Sequence, residues 1–497
     1  MPARKYSRRE FAHAAAIPAL AGIATQVGAP RTQAAAEGGD PDRKDLRQRQ
    51  LFLDDTWIEE SYRLERVWES AEIFPEPVLR PETAWEGRQV VMFGSVFRLG
   101  GEWRMYYTTY NPPELPQFCL ATSTNGIRWE RPKLGLFSFN GAEDNNLLFD
   151  PALNIRHDGP TVCYDPQDTR SPFKLMYYAS GNGRPRGEYI ALSRDGIVWQ
   201  HHPTPVLTTT GDRTNLFPSR DHTGKFLAIL RHRDMMKVHR ARTVWRSESE
   251  DFIRWTEPRP ILRPDLLDEP NTELYGMSAF RYSDLYLGML EKWYGVPDRF
   301  EIQLAWSHNG VDWLRPAKRS AFLGPAFPWN RAWNTCANTA PILVGNQLWF
   351  YFGGRSSAHG REHPQSYGAI GLATITIDRF AAMQADFQDG LLITKPMTWP
   401  GGDLALNSTY TRYPQGHPAG GGGDVGVEVR DAGNLPLEDW SGAQRAGFNV
   451  FSPARNKPDL LPVRWPGGRS LKELAGKRIR LAVFLRDARL YAFRAQL

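Results

Sequence analysis

From residue 51 onward, short apolar runs of strand length alternate with clusters of Gly, Pro, Asn and Asp. Five runs are rich in aromatic residues: 103–107, 173–178, 226–230, 285–290 and 348–352. Each is followed by a second apolar run, at 118–122, 189–192, 243–246, 302–306 and 370–374. Further strands precede several of them, including 91–99, 161–165, 274–281 and 339–344. The pattern predicts five units of three or four strands.

A turn phrase ties the units together. Ser123-Thr124-Asn125-Gly126-Ile127-Arg128-Trp129, Ser193-Arg194-Asp195-Gly196-Ile197-Val198-Trp199 and Ser307-His308-Asn309-Gly310-Val311-Asp312-Trp313 share one spacing. A fourth copy, Ser249-Glu250-Asp251-Phe252-Ile253-Arg254-Trp255, has Phe252 in place of Gly and is expected to turn differently. Asn-Gly or Asp-Gly supplies the positive φ of a tight hairpin, and the Trp returns to cover the apolar face. Recurrence at intervals of roughly 55–70 residues predicts a radially repeated β fold, a five-bladed propeller over 51–380. Residues 51–53 open it and are expected to close the ring beside the last blade. The region 381–497 holds shorter strands between Gly and Pro clusters, notably Gly420 to Gly423, and reads as an antiparallel β-sandwich. The expected class is all-β: a five-bladed β-propeller followed by a C-terminal β-sandwich domain.

The amino terminus changes the charge balance. Ser7-Arg8-Arg9-Glu10-Phe11, a weakly apolar run and Ala34-Ala35-Ala36 match a twin-arginine export signal over residues 1–36. His13, Gly and Pro make that run too polar for a stable membrane span. Its removal takes away Arg4, Lys5, Arg8, Arg9, Arg31 and Glu10, reducing the formal charge from +6 to +2. A nearly neutral periplasmic or extracellular protein offers no electrostatic case for nucleic acid or an anionic membrane. Cys119, Cys163 and Cys336 allow at most one internal disulfide, and their apolar contexts favour buried thiols. Their spacing does not suggest a structural zinc.

The five units, the Ser-x-Asp/Asn-Gly-x-x-Trp turns and the trailing sandwich resemble the five-bladed propeller glycoside hydrolases. That superfamily includes arabinofuranosidase/β-xylosidase, invertase/levanase and β-mannoside phosphorylase-like families. The Asp-box of sialidases is similar but one residue longer between Ser and Gly. The invertase phrase Trp-x-Asn-Asp-Pro-Asn-Gly is absent from the first unit, which argues against sucrose or fructan. The resemblance implies carboxyl groups converging from the starts of the inner strands, one an acid and one a base or nucleophile, with a third tuning the acid.

The candidates sit at those strand starts. Glu86, before the first inner strand, is the candidate base, where the family usually carries Asp; Asp54 and Asp55 are its rivals. Asp158 fits the tuning position. Glu273, among apolar and aromatic neighbours, is the preferred general acid, with Asp212 competing. Trp85, Tyr275 and Trp333 are candidate sugar platforms, and His157, Asn215 and Asn334 candidate hydrogen-bonding groups. Arg213, Arg231 and Arg233 could clasp an anion, although Arg231-His232-Arg233 reads more simply as a solvated strand end. No cofactor is required; a channel cation such as calcium is left open.

The expected activity is cleavage of furanosides or similar glycans by an exported enzyme, inverting and exo-acting. The alternatives are a sialidase-like or phosphorylase-like enzyme using the arginines, and a carbohydrate-binding propeller without chemistry. Oligomeric state is left open.

Overall fold

The computed structural model describes residues 39–232, 240–358, 365–411, 423–450 and 460–497. The export signal, Arg233 and Gly420 to Gly422 lie outside them. The regular structure of the described residues is strand, apart from 3-10 turns of three or four residues. No helix among them is long and apolar enough to cross a membrane.

Five antiparallel sheets form the blades. Blade one holds Val90–Val91, Val96–Leu99, Glu102–Thr109 and Phe118–Ser123. Blade two holds Arg156–Tyr164, Phe173–Gly181, Arg184–Ser193 and Gln200–His201. Blade three holds Thr210–Leu216, Phe226–His232, Val244–Ser249 and Arg259–Leu262. In blade four, Thr272–Tyr282, Leu285–Tyr294, Arg299–Ser307 and Trp313–Leu314 follow in order, with Ala321–Leu323 beside the third. Blade five comprises Trp333–Cys336, Ile342–Val344, Gln347–Arg355 and Gly368–Thr376.

Apolar faces stack blade on blade around the ring. Tyr106 and Leu120 of blade one meet Leu175 and Tyr189 of blade two. Met176 and Ile190 continue to Phe226 and Leu230, and Ile229 and Val244 to Met277 and Leu290. Leu287 and Leu304 meet Phe350 and Ala373, and Leu372 and Tyr351 return to Met105 and Ala121 of blade one. The ring therefore closes after five blades. Cys119, Cys163 and Cys336 are free, buried thiols within these interfaces.

Buried hydroxyl and amide groups link the inner strands at the axis. Ser95 Oγ donates to Val162 O at 3.0 Å, and Asn338 N to Gly94 O at 2.8 Å. Ser278 Oγ donates to Ala337 O at 2.8 Å, and Asn338 Nδ2 to Leu216 O at 2.6 Å. Each bond satisfies a polar group that would otherwise be buried unpaired.

Ring closure differs from expectation. The strand Glu72–Ile73 pairs with Gly368–Thr376 and completes blade five. Gln50–Leu51, expected there, instead pairs with Ala488–Gln496. The sandwich thus takes strands from both ends of the chain: Glu65–Trp68 lies on one of its sheets and Ile58–Tyr62 on the other. Its core gathers Phe52, Trp57, Trp399, Leu406, Val427 and Phe493.

The third turn also departs from expectation. Phe252 holds φ 68°, alongside 74°, 78° and 73° at Gly126, Gly196 and Gly310. Asp251 Oδ1 accepts from Ile253 N at 2.9 Å and Arg254 N at 2.8 Å, as Asp195 Oδ1 does from the corresponding amides at 2.8 and 3.0 Å. The turn is the same despite a side chain in the left-handed region, which costs about 1–2 kcal/mol. The Phe252 ring is buried against Phe226, with centroids 5.1 Å apart, and this packing offsets the strain. At Gly196 the corresponding space is occupied by Tyr106 and Phe173. Phe252→Gly is expected to destabilise the fold by about 2–3 kcal/mol, because the lost ring outweighs the relieved strain. A chemical-denaturation midpoint that stays or rises would overturn this account.

Candidate active site

The inner strands of blades two to five begin at one mouth of the ring, where the neighbouring strands end. Arg156 and Asp158 lie on one face of their strand; Asp212 opens blade three, and Glu273 and Tyr275 open blade four. Arg231, Trp293 and Arg355 arrive on the adjoining strands.

Asp158 and Asp212 form the centre of this group. Arg156 Nε donates to Asp158 Oδ2 at 3.0 Å. Burial raises the Asp158 carboxyl above its ordinary value, Arg156 opposes that rise, and the charge of Asp212 adds to it. Asp212 pairs with Arg231. Partial desolvation at the mouth would raise Asp212 too, but Arg231, Arg242 and Arg156 hold it below its ordinary value. The Asp212 side chain is 55% exposed and that of Asp158 only 15%. Two carboxyls of adjacent blades are thus pushed in opposite directions, the arrangement that separates a proton donor from a base.

Arginines and rings frame the pair. Arg231 lies 4.3 Å from the Tyr275 ring centroid, and Arg242 lies 4.6 Å from Trp293. Tyr275 packs edge-on to Trp333 at 5.4 Å, and Trp333 stacks on Phe300 at 4.1 Å. Arg355 spans Trp333 at 4.7 Å and Tyr110 of blade one at 5.1 Å. Beneath them Arg213 makes a two-bonded pair with buried Glu291. Gly276 permits that approach, since a Cβ there would stand 2.7 Å from Glu291 Oε2.

Glu188 of blade two lies behind the two aspartates. It is fully buried, Thr214 Oγ1 donates to it, and its carboxyl is pushed up to about 8, chiefly by burial.

The remaining candidates divide between the mouth and the scaffold. Glu273 is at the mouth, but its Oε2 accepts from Arg242 N at 3.1 Å and Arg242 Nη1 at 2.8 Å. Glu86 is fully buried: Glu82 N and Thr83 N donate to one oxygen at 2.8 and 3.1 Å, and Tyr107 and Arg131 donate to the other at 2.5 and 2.8 Å. With both oxygens committed inside blade one, it is not available as a base. Asp54 accepts from His308 Nε2 at 2.8 Å and Trp306 Nε1 at 2.9 Å. His308 belongs to the blade-four turn, at the end opposite the mouth. Asp55 is exposed and pairs with Arg66.

Trp85 donates to Asn146 Oδ1 at 2.8 Å and packs in the blade five–blade one interface. Asn334 bonds to Phe300 O and Asn330 O, both at 3.1 Å. Trp333 is buried and supports Tyr275 rather than presenting a face. His157 points away from the mouth, on the strand face opposite Asp158, and is buried. Asn215 is buried on the inner strand of blade three, and neither amide atom meets a hydrogen-bond partner among the described residues. Arg231, read from sequence as solvated, is buried against Asp212 and Tyr275. The reading missed Glu188 and Glu291, although a lone acid inside an apolar strand was a usable signal. Among the described residues, no group of three or more His, Cys, Asp or Glu is placed to hold a metal ion.

No protein-family model matches the chain, and no curated protein matches it. Solved structures similar to it include a β-1,2-mannobiose phosphorylase from Listeria innocua in complex with β-1,2-mannobiose, at 14% identity and TM-score 0.44 over 62% of this chain and 98% of that one. An N-acetylgalactosamine deacetylase from F. plautii, in complex with blood group B trisaccharide, is similar at 15% identity and TM-score 0.43, over 64% and 97%. A thermostable family-43 glycoside hydrolase is similar at 13% identity and TM-score 0.44, over 59% and 91%.

Proposed function

We propose that the chain is a glycoside-cleaving enzyme acting at the propeller mouth, with Asp158 as proton donor and Asp212 as base. The observation that supports this most directly is the pair itself: neighbouring carboxyls, one raised and one lowered, framed by arginines and Tyr275. Asp158 gives its proton to the glycosidic oxygen as the bond breaks. Asp212, ionised, takes a proton from the attacking water in an inverting route, or attacks the sugar carbon itself in a retaining one. The acid role assigned to Glu273 from sequence passes in this reading to Asp158, whose carboxyl burial raises despite Arg156, whereas Glu273 accepts twice from Arg242.

The test is a panel of aryl pyranosides and furanosides. The wild type is expected to release aryl alcohol from at least one, and the Asp158→Asn, Asp212→Asn double variant from none. A wild type that binds glycans on an array but cleaves none of the panel would favour the non-catalytic propeller.

A second reading has one observation in its favour. Arg156, Arg213, Arg231, Arg242 and Arg355 outnumber the ionisable carboxyls Asp158, Asp212, Glu273 and Glu291 around them. This cationic excess suits phosphate as the attacking group, or an acidic sugar. Turnover that rises with inorganic phosphate and yields a sugar phosphate would establish phosphorolysis; turnover indifferent to phosphate would leave hydrolysis.

Export by the twin-arginine route is proposed from Ser7-Arg8-Arg9-Glu10-Phe11. Replacing Arg8 and Arg9 with Lys is expected to retain the protein in the cytoplasm; unchanged export on fractionation would overturn this.

A further inference from the structure

In every blade the strand paired with the innermost one ends at the mouth. At or next to its last residues each brings a large side chain there: Tyr110, Tyr178, Arg231, Trp293 and Arg355. Four of these are engaged within the protein. Arg355 covers both Tyr110 and Trp333, Arg231 pairs with Asp212, and Trp293 Nε1 donates to Asp298 Oδ1 at 2.8 Å. Tyr178 makes no hydrogen bond or ring contact among the described residues.

Tyr178 stands directly between Asp158 and Glu188 in the strand register of blade two, so the three side chains share the face turned to blade three. The residue is partly exposed, and its hydroxyl keeps contact with solvent. Burial chiefly raises the phenol above its ordinary value; Arg186 opposes the rise, while Asp212, Glu188 and Asp158 add to it. It therefore keeps its proton at pH 7 and both donates and accepts. Because a cation and acids act on it together, neither sign of charge is favoured at this point, which suits a neutral hydroxyl. A polar group beside the proposed acid, solvated yet engaged with nothing in the fold, has the character of a substrate contact.

We infer that Tyr178 binds the substrate, its phenol donating to a ring hydroxyl of the sugar whose glycosidic oxygen takes the proton of Asp158, and that this bond selects sugars carrying that hydroxyl. The role rests on the cleavage reading of the mouth and adds to it a contact that governs substrate choice.

The test compares kcat/KM for the 4-nitrophenyl glycoside that the wild type cleaves fastest with that for its monodeoxy counterparts, each lacking one ring hydroxyl. Tyr178→Phe, which keeps the ring, is expected to lower kcat/KM about tenfold on the parent glycoside. On one counterpart the variant and the wild type are expected to agree, because the hydroxyl that Tyr178 contacts is missing; on the others the gap remains. The denaturation midpoint of Tyr178→Phe is expected to match the wild type, since the hydroxyl has no partner in the fold. Wild-type kinetics in the variant, a gap of equal size on every counterpart, or a lowered midpoint would each overturn the inference. The Asp158→Asn, Asp212→Asn double variant reports separately on cleavage. Should the wild type bind arrayed glycans without cleaving them, Tyr178→Phe is expected to weaken that binding about tenfold. Unchanged binding, or a wild type that neither cleaves nor binds a glycan, overturns the contact.

Discussion

Asp158→Asn is expected to lower kcat on an unactivated glycoside by about 10³-fold, within the range supplied by a positioned acid or base. KM is expected to stay within a few-fold, because Asn keeps the size of the side chain. The loss depends on the leaving group. A nitrophenolate departs without a proton, so Asp158→Asn is expected to fall far less on a nitrophenyl glycoside than on an alkyl glycoside or disaccharide. Asp212→Asn is expected to fall by a similar large factor on both, since the base acts whatever the leaving group. Equal losses on the two substrate classes would remove Asp158 from the acid role.

The pH profile follows from the same pair. Asp158 must be protonated, so activity falls as pH rises through its value, which burial raises above the ordinary one. Asp212 must be ionised, so activity falls as pH drops through its value, which the neighbouring arginines hold below the ordinary one. The profile of kcat/KM is therefore expected to be bell-shaped with an acidic optimum, and each variant is expected to lose one limb. Asp158 and Asp212 were legible as candidates because they begin inner strands, and the turn phrases locate those strands from local chemistry alone. The roles proposed here differ from those expected from sequence because roles depend on partners that no local pattern shows. Glu273 has the apolar neighbours of a raised acid, but Arg242 reaches it from a separate stretch of chain. Glu86 precedes the right strand, but Arg131 and Tyr107 enclose it. The apolar triplet 51–53 carries no mark of which sheet edge it joins, so its pairing with the sandwich was equally hidden.

Glu188 gives the second large effect, and it is one of stability. In the unfolded chain its carboxyl ionises near its ordinary value of 4.5, whereas in the fold it stays protonated to about 8. Between those values the folded state holds a proton that the unfolded state has released. Stability is therefore expected to decline as pH rises through this window, by roughly 4–5 kcal/mol in total, and to level off above it. Glu188→Gln keeps an oxygen to accept from Thr214 and does not titrate, so its contribution to the decline is removed. The amide adds a donor needing a partner, an offset that does not vary with pH; the slope carries the test. Urea unfolding at pH 4.5, 6, 7 and 8 is expected to show variant and wild type diverging steadily in the variant's favour. Parallel curves would show that Glu188 ionises normally in the fold. The neutral form has a consequence at the mouth as well: an ionised Glu188 would offset the arginine excess beside Asp158 and Asp212 and raise Asp158 further. Keeping that buried carboxyl protonated preserves the cationic environment in which Asp212 stays ionised.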